Sequence, residues 1–223
     1  NSASPLLNVN CRKALAEAID LDRYVKEREA GVTSPANGPF PVGSLGYLQD
    51  SGYPKFNLAQ AKTDMDTCLK EIGKPAAEFS FNTTNDPFNV ESNQLIVSMW
   101  KTAFGDKIKT SVTPIEQGQY IGLALVGTFN AFGWRNFGGL DPEELFYWWF
   151  SGTSSPIGTL ALNFGRFQDK EIDAALAATR STADPAKRKE AAQTVNRVFG
   201  KQVYNLWLYW TLWTVAANPK VRN

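Results

Sequence analysis

Leu95, Ile96, Met99, Trp100 and Ala103 fall on one side of a 3.6-residue period, which predicts a helix with a buried face over residues 89–104. Ala192, Val195, Phe199 and Val203 do the same after Asp184-Pro185, an N-cap followed by a proline preset for the first helical turn. Further helices are expected over 12–19 and 22–29, closed by Gly31, and over 117–125 and 169–179. Asn57 and Gln60 read as a capping box opening a helix that runs to about residue 72, with Gly73 just past its end. Between these lie shorter runs with a period of two or dense in aromatics, at 78–83, 108–115, 128–134 and 204–213. The last of them alternates Tyr, Trp and Leu on both faces and is expected to be a central strand. Residues 33–54 carry Pro35, Pro39, Pro41 and Pro54 with four glycines and should be ordered by turns; 151–167 reads as a surface loop. Strands separated by helices predict an α/β fold, with a central mixed sheet flanked by helices.

The junction at 133–142 is the most informative local pattern. A strand ending at Gly133-Trp134 meets a helix start at Asp141-Pro142-Glu143-Glu144, where Asp141 and Glu144 suit a capping box. Trp134, Arg135, Asn136, Phe137 and Gly138 lie between, the residue mix expected where a ligand meets a strand's carboxyl end; an ordinary strand-to-helix connection is the plain alternative. The aromatics Tyr147, Trp148, Trp149, Phe150, Trp207, Tyr209, Trp210 and Trp213 are expected mostly in the core, with a minority free to stack on a ligand. Tyr147 and Phe150 would share one helical face.

Composition narrows the chemistry. A chain of 223 residues, 43% hydrophobic, can bury a full core, and residues 1–223 are expected to form one domain. Lys and Arg number 23 against 22 Asp and Glu, so nothing calls for nucleic acid or an anionic membrane as partner. The longest apolar run, 206–213, is too short to span a bilayer, and the chain opens at Asn1 as a mature or trimmed protein would. Histidine is absent, which removes His-based triads and His metal sites; no metal or cofactor is expected. The acidic pairs Asp64 with Asp66 and Glu143 with Glu144 fit helix first turns better than the acid/base machinery of a carboxylate-dependent hydrolase.

Five segments, in one order, resemble family 5 extracellular solute-binding proteins of ABC importers, the dipeptide- and oligopeptide-binding type. Arg12-Lys-Ala-Leu-Ala-Glu-Ala-Ile-Asp20 is similar to the "R-x-A-L-x-x-A-I-D" helix, and Gly38-Pro-Phe-Pro-Val-Gly43 to the "G-P-x-P-x-G" loop. Tyr53-Pro54, Gly133-Trp134 with Asp141-Pro142, and Phe167 to Asp173 complete the set. The resemblance implies the second lobe of a two-lobed periplasmic-binding-protein type II fold, closing on a peptide or peptide-like solute. It implies delivery to ABC permease subunits, an extracytoplasmic location (periplasmic, or a cell-surface lipoprotein), a monomer, and no enzymatic activity. A signalling or interaction domain without a small ligand is the other alternative. The family position that often holds an aspartate for a peptide's ammonium falls at Asn136 or Phe137, neither of them acidic, while Arg135 would suit a carboxylate. Two cysteines in an exported chain, Cys11 and Cys68, are expected to pair, with two buried free thiols as the alternative.

Overall fold

The computed structural model describes residues 4–135, 141–212 and 220. Its helices are α1 (Val9–Glu17), α2 (Leu21–Arg28), α3 (Leu58–Ile72), α4 (Pro87–Phe104), α5 (Gln117–Val126), α6 (Phe146–Trp149), α7 (Lys170–Ser181) and α8 (Pro185–Gln202). Most open on a short polar side chain that accepts from a first-turn N–H. Asn8 takes Asn10 at 2.8 Å, Asp20 takes Arg23 at 3.0 Å, Asp86 takes Asn89 at 3.0 Å, and Asp184 takes Ala186 at 2.9 Å. Asn57 accepts from Ala59 and Gln60, both at 3.1 Å, but the reciprocal half of the expected capping box is missing. The Gln60 amide donates instead to Asp64 at 3.0 Å, and the Asn57 N–H is taken by the Glu17 carbonyl at 2.9 Å. That bond fixes the start of α3 to the end of α1.

The strands are β1 (Ala77–Glu78), β2 (Phe81–Thr84), β3 (Ile108–Lys109), β4 (Val112–Ile115) and β5 (Ala131–Phe132). β1 pairs with β3, and β2 lies between β4 and β5; all of these pairings are parallel. Each of the two longer strands expected from alternation is thus split in two. Phe79 N–H still reaches the Lys109 carbonyl at 3.2 Å, but the Ser80 carbonyl already accepts from Ala131. The chain exchanges one neighbour for another at that point, and the ladder breaks there. Since β2, β4 and β5 run parallel, Thr84, Ile115 and Phe132 end at one edge of their sheet.

The expected strand at 204–213 does not form among the described residues. Only an isolated antiparallel bridge, Pro35 to Tyr209, marks it, flanked by bonds from Ala36 N–H to Leu208 (3.1 Å) and Trp210 N–H to Ser34 (3.4 Å). Its neighbour is the proline-bearing loop, and Pro35 has no N–H to extend a ladder. The alternation is real but serves two cores. Leu208 and Tyr209 pack on one, Tyr204 on the other, and Leu206 and Trp207 face Val203 between them.

The first core gathers α1, α3, α4 and the sheet around Trp100, with a disulfide joining Cys11 of α1 to Cys68 of α3. The second gathers α7 and α8 around Phe199, with Phe40, Leu145 and Trp149. Ala192, Val195 and Phe199 are fully buried there, as their spacing predicts, and Val203 is fully buried in the small cluster between the two cores. α8 lies so close to residue 51 that a Cβ on Gly200 would come within 2.1 Å of the Ser51 carbonyl oxygen. Only glycine allows that approach.

The expected helix after Asp141 is a 3-10 turn, Pro142–Leu145, followed by the short α6. Asp141 caps the Glu143 N–H at 2.9 Å and takes Arg188 through both oxygens at 2.6 and 2.7 Å. Glu143 pairs with Arg180 at 3.2 Å. The helix stops at Phe150, which turns extended and stacks on Phe146 at 4.3 Å. Burial goes to Trp149 rather than to Tyr147, which is exposed.

Arg12, the first residue of the R-x-A-L pattern, acts as a clamp. Its guanidinium donates to the carbonyls of Leu6 (2.8 Å), Leu7 (2.9 Å), Gln202 (2.8 Å) and Val203 (3.0 Å), and lies over the Tyr204 ring. It closes the C-terminus of α8, whose last carbonyls lack helical partners. Lysine cannot reproduce that fork. Arg12→Lys is expected to lower stability by about 2–3 kcal/mol in urea unfolding, with the m-value unchanged.

Glu17 ends α1 nearly buried, with Oε2 lacking a hydrogen-bond partner. Burial, then the neighbouring Asp64 carboxylate, pushes its carboxyl up to about 7, opposed by Lys13. The folded chain therefore holds a proton that the unfolded chain releases near 4.5. Stability from this group is complete below that value and is lost as pH rises toward 7. Glu71, Glu116 and Asp141 are shifted the other way, so their effects fall at lower pH. Thermal melts of the wild type are expected to decline from pH 4.5 to 7, and Glu17→Gln to flatten that decline.

Candidate functional site

The carboxyl edge of the β4-β2-β5 sheet brings Thr84, Ile115 and Phe132 together, and the chain leaves β5 directly into Gly133, Trp134 and Arg135. The Tyr120 hydroxyl of α5 donates to the Gly133 carbonyl and so fixes the backbone where the strand ends. Burial raises the Tyr120 pKa, which keeps that donor protonated.

Trp134 is held on one side and open on the other. It stacks on Tyr120 (centroids 5.9 Å, planes 15° apart) and meets the edges of Phe164 at 5.0 Å and Phe132 at 5.8 Å, yet stays 38% exposed. A ring held by three aromatics keeps its position while offering area to a ligand. Phe164 continues to Trp148 at 5.5 Å, so one aromatic of the 147–150 run joins this edge.

Phe164 comes from the 151–167 loop, which is not loosely held. Arg166 donates to the carbonyls of Ser155 (3.1 Å), Leu125 (2.8 Å), Thr159 (3.0 Å) and Phe164 itself (3.0 Å). The guanidinium lies against Gly127, where a Cβ would approach it to 2.3 Å; φ there is +74°, so glycine is required on both counts.

Arg135 is exposed, donates to the Tyr209 hydroxyl at 3.2 Å, and lies 5.6 Å from the centre of the Phe88 ring. Arg28 approaches the same ring at 4.9 Å. Phe88 stands in the first turn of α4, after Asp86 and Pro87. There Thr84, Asp86 and Asn89 bond one another. Burial and a hydrogen bond to Glu29 push Tyr209 up to about 12, so its hydroxyl stays protonated.

Of the residues singled out in the sequence, Trp134 and Arg135 lie side by side at this edge; Asn136, Phe137 and Gly138 lie outside the described residues. Phe88, Tyr120 and Phe164 were not foreseen, and Tyr209 was named only among the aromatics expected mostly in the core. Phe88 could have been found from the aromatic that follows Asp86-Pro87 at a helix start. The acidic pairs are spent elsewhere, Asp66 on Lys107 and Glu143 on Arg180. Among the described residues no cluster of three or more acidic or cysteine ligands could hold a metal, and no helix is long and apolar enough to cross a membrane. A cavity of about 690 Å³ opens at the opposite end of the sheet between Glu78, Ser80, Lys101, Lys109, Ser111 and Asn130.

The profile of "Bacterial extracellular solute-binding proteins, family 5 Middle" matches residues 1–156. The chain belongs to this family. It is 34% identical over 111 residues to the oligopeptide-binding protein OppA of Bacillus subtilis, a match covering 46% of this chain and 20% of that protein. Among solved structures, a peptide-binding protein of a peptide ABC transporter is similar at a TM-score of 0.77 and 20% identity, covering 94% of this chain and 93% of its own. DppA of Helicobacter pylori, solved with the peptide STSA, is similar at a TM-score of 0.78 and 21% identity. Listeria monocytogenes OppA, bound to peptide, is similar at 0.76 and 20%. The matches cover 92% of this chain and 38% and 40% of those two proteins, so the chain spans about two fifths of their length. The likeness establishes the α/β fold of a periplasmic-binding-protein lobe. This family 5 chain therefore places its G-W segment at the strand ends, its R-x-A-L arginine under α8, and its G-P-x-P-x-G phenylalanine, Phe40, in the second core.

Proposed function

We propose that residues 1–223 form one lobe of a two-lobed family 5 receptor that captures a peptide or peptide-like solute outside the cytoplasm and passes it to an ABC permease. The chain then works by binding alone, without catalysis, and as a monomer. Trp134 and Arg135, with the following Asn136, Phe137 and Gly138, would line this lobe's half of the site. The supporting observation is Trp134 itself, packed on three aromatics and still exposed at the edge where three parallel strands end. In open α/β sheets ligands meet the carboxyl ends of strands. Two lobes closing on a solute bury it between them, so one lobe carries half of the cleft. Relatives solved with peptides support the solute class.

Mass spectrometry of small molecules released on denaturing the intact receptor tests this reading. Peptides or peptide-like compounds retained by the wild type and lost in Trp134→Ala are expected. An unchanged content in the variant would contradict the assignment.

A further inference from the structure

Nearly every other described arginine has its charge or its donors engaged. Arg12 and Arg166 are each bonded to four carbonyl groups, Arg23 pairs with Glu27, Arg28 with Glu91, Arg180 with Glu143, and Arg188 with Asp141. Arg197 donates to Thr194 on the outer face of α8. Arg135 differs in place and in setting. It is exposed at the carboxyl edge of the sheet and has no ion pair among the described residues, but it is held from two sides.

One support is the Phe88 ring, which the guanidinium faces at 5.6 Å; the other is the Tyr209 hydroxyl at 3.2 Å. Tyr209 is fixed in turn by its stack on Tyr24, centroids 6.1 Å apart. The Tyr209 oxygen accepts from Arg135, since a guanidinium offers no acceptor in return. Among the described residues Tyr209 takes one of the five guanidinium N–H groups, and the planar fork keeps its other donors for a ligand. Arg28 on the far side of the contact is neutralised by Glu91 at 3.0 Å and also bonds Ser92, so it adds little net field. A preorganised, unpaired guanidinium beside a flat apolar ring is the arrangement that recognises a carboxylate on a partly apolar solute.

Resting on the solute-binding reading of this edge, we infer that Arg135, held by Phe88 and Tyr209, forms a subsite for a carboxylate carried by the solute. Tyr209 acts as a positioning residue that works through Arg135. The class of ligand is a peptide-like molecule with an anionic group at the end that meets Trp134.

Three probes on one trialanine amide scaffold separate the outcomes: N-succinyl-trialanine amide (anionic), N-acetyl-trialanine amide (neutral) and trialanine amide (cationic), titrated into the intact two-lobed receptor and followed by NMR shifts of the Trp134 and Arg135 side-chain N–H groups. The anionic probe is expected to bind about tenfold more tightly than the neutral one, and the cationic probe most weakly. Arg135→Ala should erase that preference, the anionic probe losing about tenfold more affinity than the neutral one. Arg135→Lys should restore part of it, because the charge returns without the fork. Tyr209→Phe should reduce the anionic-to-neutral preference about threefold, a change in ratio that a merely structural role for the hydroxyl would not produce. Binding at this edge with no charge preference, or a preference that survives Arg135→Ala, overturns the carboxylate subsite alone. Absence of any binding at this edge overturns the solute-binding reading and the subsite with it.

Discussion

Trp100→Ala is expected to remove about 3–5 kcal/mol of folding stability. Trp100 is 1% exposed at the centre of the first core, with Phe79 and Phe81 at 5.9 and 5.7 Å and its indole N–H donating to the Leu15 carbonyl at 2.9 Å. Alanine would leave a void between α1, α4 and the sheet that these rigid elements cannot close. Phe81 opens β2, so the loss reaches the strand whose far end carries Thr84 and the candidate site. Trp100→Phe separates the causes: it keeps most of the apolar volume and loses the hydrogen bond, for an expected cost of about 1–2 kcal/mol. Denaturant unfolding followed by near-UV circular dichroism measures both. A cost below about 1 kcal/mol for the alanine variant would mean that this core does not organise the sheet.

Removing the disulfide should have an effect of similar size. Cys11 and Cys68 are 57 positions apart in the sequence, lie 1% and 0% exposed, and tie α1 to α3. Closing a loop of that length restricts the unfolded chain by about 4 kcal/mol on the chain-entropy model. Cys11→Ala combined with Cys68→Ala is expected to lose about that much, with little change in the folded structure because both sites are already apolar. Thiol titration of denatured, unreduced protein should find no reactive cysteine. Two reactive thiols would contradict the bond.

The helices were the most legible part of the chain because their signals are local. Asp184-Pro185 and the 192–203 face, or Asn57 ahead of α3, carry cap and period within a few residues. Pairing was less legible. The break of the ladder at Phe79 and Ser80 reflects a change of neighbour from β3 to β5, which no alternation records. The 204–212 segment has the pattern of a strand, but the chain beside it begins with Pro35 and offers no ladder. At the site, Trp134 and Arg135 were readable from the Gly-Trp to Asp-Pro junction. Tyr209 was not, because 74 positions separate it from Arg135 and only the packing of the 204–212 segment on the first core brings them together.

The central claim is that the carboxyl edge around Trp134 is the solute face. A backbone-amide chemical-shift map of the intact two-lobed receptor titrated with N-succinyl-trialanine amide tests it most directly, because the two ends of the sheet carry different, distinguishable residues. The account predicts perturbations at Thr84, Phe88 and Asn89, at Glu116, and at Phe132, Trp134 and Arg135, with Tyr209 responding alongside them. Perturbations gathered instead at Ser80, Lys109, Ser111 and Asn130, around the cavity at the opposite end, or gathered nowhere, would contradict it.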